Sequence, residues 1–169
     1  ELDKLSTSII GTDVSIKMER RVQPSLFNVT NYDIKFYNSI HHPHDGHMPV
    51  LHTTPFMYKD IDGITNIKCW LDDDGSGLVR MYKIVDGEKV YVYKNVGQID
   101  YETGTISLKQ FSPVSLADNY ITLRFTVPPK DKSLIVDRNL ILYYDWLDAS
   151  SLTVNAIGDK TFSNSRTGY

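Results

Sequence analysis

The sequence predicts a mainly β fold, antiparallel and sandwich-like, with little helix. Three observations lead there. Apolar residues recur with a period of two along most of the chain, Asp-Gly and Thr-Gly pairs fall where hairpins would turn, and helix signals are thin. A period of two places one face of a strand on a core and the other in water.

Taken in order, Val14, Ile16 and Met18 alternate with Asp13, Ser15 and Lys17. Tyr32, Ile34 and Phe36 alternate with Asp33 and Lys35. A first hairpin runs Val79–Val85, Asp86-Gly87, Glu88–Tyr93, because Asp-Gly accepts the positive φ angles of a two-residue turn. That register sets Tyr82 opposite Tyr91 and Met81 opposite Val92. It also puts Tyr82, Tyr91 and Tyr93 on one face, as a core layer or a binding platform. A second hairpin spans Ile99–Phe111, with Tyr101-Glu102-Thr103-Gly104 as the connection, Ile99 facing Ile106 and Gly104 left-handed. Ile121, Leu123, Phe125 and Val127 alternate with polar residues until Pro128-Pro129, which cannot continue a ladder. Leu140 to Leu147 is strongly apolar and reads as a strand, and the unalternating run Leu140-Ile141-Leu142-Tyr143 suggests cover on both faces. Helix is expected only at Glu1 to Leu5, as the end of an upstream helix, and as one turn at Ser115 to Asn119.

Two stretches break the pattern. Residues 38–60 hold three prolines and all five histidines and read as a long irregular loop. Residues 148–169 are a polar C-terminal arm. The expected organisation is therefore a β-rich assembly domain over 1–147 followed by that arm. The first residue is Glu1, so the chain reads as a piece of a longer protein.

Composition sets the outer limits. With 18 basic and 21 acidic residues the net charge is −3, without the cationic excess that nucleic acid selects. No apolar run approaches the roughly 20 residues of a membrane helix. The single cysteine, Cys69, forms no internal disulfide, fits a reducing compartment, and sits in Ile67-Lys68-Cys69-Trp70 as a packed strand residue. Asn28-Val29-Thr30 matches a glycosylation sequon, meaningful only in a secreted eukaryotic chain.

The residues that could carry chemistry assemble into no catalytic signature. His41-His42-Pro43-His44-Asp45-Gly46-His47, with His52, offers imidazole ligands, but no strand or helix fixes their spacing. No metal is expected, and exchange of His42 and His44 for alanine should barely change stability. Asp72-Asp73-Asp74-Gly75-Ser76-Gly77 fails the calcium-loop register, since position one would fall on Trp70, and reads as a tight acidic turn. Gly75-Ser76-Gly77 is not a nucleophile elbow, and no glycine-rich loop opens a helix as a phosphate cradle would. No catalytic residue, cofactor or small-molecule substrate is expected. The tyrosines and the Asp72–Asp74 turn leave a carbohydrate-binding β-sandwich module as the alternative.

Four motifs nevertheless point somewhere. They are Ile9-Ile10-Gly11-Thr12-Asp13-Val14, His41-His42-Pro43, Leu71-Asp72-Asp73-Asp74-Gly75-Ser76-Gly77-Leu78-Val79-Arg80, and Gly97-Gln98-Ile99-Asp100-Tyr101-Glu102-Thr103-Gly104. Over residues 6–138, and in this order, the chain resembles the C-terminal part of the ring-forming baseplate wedge proteins of T-even-type contractile-tail bacteriophages, relatives of the baseplate J group. The resemblance implies a structural virion protein of the tail baseplate, assembled in the bacterial cytoplasm. Such a protein pairs with a copy of itself, contacts other wedge proteins and helps build the ring around the hub. It implies no catalytic residues, and the charge and hydropathy above leave no nucleic-acid or membrane partner expected. For the homodimer surface, Tyr143, Tyr144 and Trp146 are the expected residues, because aromatics dominate such contacts and a polar arm follows that could cross to a neighbour.

Overall fold

The computed structural model describes residues 16–130. Within them the chain forms β1 (Met18–Val22), β2 (Thr30–Lys35), β3 (His52–Thr53), β4 (Phe56–Lys59), β5 (Asn66–Asp73), β6 (Leu78–Val85), β7 (Glu88–Asp100), β8 (Thr105–Phe111), β9 (Ser115–Leu116) and β10 (Leu123–Val127). A seven-stranded sheet has the order β2-β8-β7-β6-β5-β4-β9, and a three-stranded sheet the order β1-β10-β3. Every pairing is antiparallel. The mainly β, sandwich-like expectation holds, and the described residues contain no helix.

The turns form where their residues allow them. Asp86 and Gly87 both take positive φ, 52° and 85°, and close the hairpin of β6 and β7. Gly104 at φ 65° closes the hairpin of β7 and β8, with Ile99 opposite Ile106 as expected. Tyr82 likewise faces Tyr91. Beyond that pair the expected register fails: Met81 faces Tyr93, not Val92, because β7 carries one extra residue there and two more before Gly97. The bulge therefore turns Tyr93 onto the Met81 face and separates it from Tyr82 and Tyr91.

Other expectations change for similar reasons. Residues 38–60 are not irregular throughout, since they contain β3 and β4. Ser115–Leu116 pairs with Phe56 and Met57 as an edge strand instead of making a helical turn. Ile121 falls outside β10 and is exposed, while Leu123, Phe125 and Val127 are buried and face β1. Val14, the segments Glu1 to Leu5 and Leu140 to Leu147, and the boundary at 147/148 lie outside the described residues.

One core joins both sheets. Phe36, Phe56, Leu71, Met81, Ile106, Leu108 and Phe111 pack with Met18, Leu123, Phe125 and Val127. Phe56 and Phe111 meet edge-on at 5.1 Å between ring centroids, a geometry that adds about 0.5–1.5 kcal/mol beyond burial alone.

Candidate functional site: an acid-centred knot and a cation-covered aromatic face

β5 carries two buried aspartates that point to opposite faces, since successive strand residues alternate. Both are fully buried within β5, so the tight acidic turn expected over Asp72 to Gly77 is confined to Asp74 to Gly77.

Asp73 faces the core side and gathers the chain around it. Its Oδ1 accepts the amides of Val50 and Leu51 at 2.7 and 2.8 Å. Its Oδ2 accepts the Tyr101 hydroxyl at 2.7 Å and the Gly75 amide at 3.3 Å. A carboxylate so provided with donors is satisfied without water, which is the condition for burying it. Burial, and then the bond to Asp73, hold the Tyr101 phenol far above the ordinary tyrosine range.

The histidine loop closes over this knot. The His42 ring stacks on Tyr101 at 4.2 Å with 7° between planes, and His47 packs edge-on against both. His47 is only 5% exposed, and its Nδ1 bonds the Met48 carbonyl at 2.6 Å. His44, by contrast, lies at the surface. The loop is thus partly core: the stacked His42 ring argues against the indifference to substitution expected there, while His44 makes only a surface contact with the Asp45 carbonyl and an edge contact with His47. Gly75 is required here on two counts: φ is +76°, and a Cβ would strike the His47 backbone. Among the described residues, no group of three or more His, Cys, Asp or Glu side chains is arranged to hold a metal ion.

Asp72 faces the opposite way, toward the outer surface of β5, β6 and β7. It accepts Arg80 Nε at 3.0 Å on Oδ1, and Lys89 Nζ at 3.1 Å and Tyr91 Oη at 3.3 Å on Oδ2. Around it stands a row of rings, Trp70 stacked on Tyr82 at 5.8 Å and Tyr82 edge-on to Tyr91 at 6.2 Å. Each ring carries a cation: Lys68 above Trp70 at 5.5 Å, Lys89 above Tyr82 at 4.2 Å, Arg80 above Tyr91 at 4.4 Å. Burial works against the Lys89 charge, but Asp72 and the neighbouring phenols outweigh it and raise its pKa. Sequence reading found the tyrosines and missed the cations. The signal was present, since Lys68, Arg80 and Lys89 share strand parity with the rings they cover once the registers are known.

Cys69 is buried opposite Phe56, and burial pushes its thiol up to about 12. Tyr143, Tyr144 and Trp146 lie outside the described residues. The fold and site together define a class: an antiparallel β domain whose acidic and imidazole groups hold its own architecture together. Comparison with models of protein families, with curated proteins and with solved structures finds no match.

Proposed function

We propose that the chain is an assembly module: the C-terminal part of a structural baseplate wedge subunit of a contractile phage tail. In this reading it pairs with a second copy and contacts other wedge proteins of the ring around the hub. The observation that supports it is where the resembling motifs go. Three of the four lie in the described residues and meet in one place, His42 of the loop on Tyr101 of the β7–β8 turn, and Tyr101 on Asp73 of β5. Residues spaced this widely and used on one another serve to hold a shape, which is what an assembly subunit needs. Tyr143, Tyr144 and Trp146 stay the sequence's candidates for the shared surface.

Immunogold electron microscopy with antibodies against this chain tests the reading on tailed particles from the source that encodes it. Gold at the distal end of the tail is the expected result. Labelling absent from the particles, or confined to the capsid, overturns it.

The carbohydrate-binding alternative draws on the Trp70–Tyr82–Tyr91 row. Sugar stacking needs an open ring face, and Tyr82 is 9% exposed beneath Lys89. The covered rings favour assembly over sugar binding. Saturable binding on a glycan array, lost in Trp70→Ala, would reverse that preference.

A further inference from the structure

Among the described residues β2 is a sheet edge with a self-complementary charge pattern. On one side it pairs with β8; on the other, a groove of about 290 Å³ separates it from β1. Residues 20–22 and 32–35 line this groove consecutively. That happens only along the edges of strands, not over one face. The Phe36 amide donates to the Gly104 carbonyl at 2.8 Å, which fixes the parity of β2. Its even positions turn their backbone groups to β8, and Asp33 and Lys35 turn theirs to the open edge. Open edges recruit strands.

We propose that β2 docks against β2 of a second copy of this chain, antiparallel and centred on Ile34. The proposal rests on the assembly reading and names its self-association surface. In this register Asp33 meets Lys35 of the other copy, twice across the two-fold axis. On the core side Ile34 meets Ile34 and Tyr32 meets Phe36, apolar against apolar. Shifting the centre to residue 33 sets Asp33 against Asp33, and shifting it to residue 35 sets Lys35 against Lys35. Like charges directly opposite are unfavourable, so only the central register satisfies both rows. A patch that is its own complement is what a two-fold contact requires. Neither partner of the pair is sequestered: Asp33 and Lys35 are exposed, and Asp33 accepts a hydrogen bond from the Ser107 hydroxyl at 2.6 Å.

The ends of the strand supply further contact area. Phe27 precedes β2 and Tyr37 follows it, both with left-handed backbones, φ 62° and 57°, and both exposed, 70% and 78%. Bulky residues rarely adopt that conformation. Here it turns an aromatic ring outward at each end of the edge, so two paired copies would present four rings flanking the contact.

Charge exchange in the full chain tests this by sedimentation across a micromolar concentration range. Wild type should give a dimer mass. Asp33→Lys alone and Lys35→Asp alone should each weaken dimerisation by about tenfold or more. A mixture of the two single variants should form a heterodimer, and the double exchange should restore the homodimer. If Asp33→Lys melts early through loss of the Ser107 contact, Lys35→Asp and Lys35→Ala carry the test. Single variants that dimerise like wild type overturn the β2 surface while leaving the assembly reading intact. A wild-type chain that stays monomeric overturns it too, and gold labelling then decides the assembly reading by itself.

Discussion

The Tyr101 hydroxyl donates to Oδ2 of Asp73 at 2.7 Å, across 28 residues of chain. The bond ties the turn after β7 to the end of β5, and the two amides on the other oxygen tie in the loop ahead of β3.

Tyr101→Phe should therefore destabilise the protein by about 1–3 kcal/mol, the cost of leaving a buried acceptor short of a donor. Asp73→Ala should cost more, because it strands the Val50 and Leu51 amides as well. Chemical denaturation measures both, and a Tyr101→Phe variant as stable as wild type would remove the knot from the stability argument.

Alkaline pH should weaken the protein through the same residue. Burial and Asp73 raise the folded pKa of Tyr101 above its unfolded value of 10.0. Its contribution is thus complete below pH 10 and is lost as pH rises further, since the unfolded chain releases the proton first. Unfolding free energy measured on both sides of that pH should fall less steeply in Tyr101→Phe than in wild type. Equal slopes would contradict the assignment.

Gly75→Ala and Gly87→Ala should separate strain from collision. Both glycines hold positive φ, but a Cβ at Gly87 meets open space while one at Gly75 meets backbone. The conformational cost alone is about 1–3 kcal/mol. Gly87→Ala should lose about that much, and Gly75→Ala clearly more or fail to fold. Thermal melts showing the reverse order would disprove the packing of the loop on the β5–β6 turn.

Cys69 should resist thiol reagents at mildly alkaline pH until the protein unfolds. It is fully buried, and its pKa near 12 leaves almost no thiolate. Reaction with a chromogenic disulfide, before and after adding guanidinium, should register no thiol and then one.

Alanine at His44 should change stability by no more than about 0.5 kcal/mol, as at ordinary surface positions. Alanine at His47 should cost about 1–3 kcal/mol by emptying a buried ring site beside Tyr101. Equal melting temperatures for the two variants would return the whole loop to solvent.

The sequence by itself determined the local grammar of this protein. Alternation in Tyr32 to Phe36 and Leu123 to Val127, Asp86-Gly87, and Gly104 all act between near neighbours, where side-chain period and backbone freedom suffice. The pairing of Tyr82 with Tyr91 was legible for that reason. Only the tertiary structure decided the rest. The extra residue in β7 between Tyr91 and Tyr93 moved Tyr93 to the other face, because the register with β6 slips there and no local pattern announces it. It also decided which aspartate goes where: Asp72 and Asp73 are identical in sequence terms, and strand parity sends one to cations and the other to amides. No local pattern encodes the partners they find, because Lys89 comes 17 residues from Asp72, and Tyr101 and Leu51 come 28 and 22 residues from Asp73, and they meet only through strand pairing and packing.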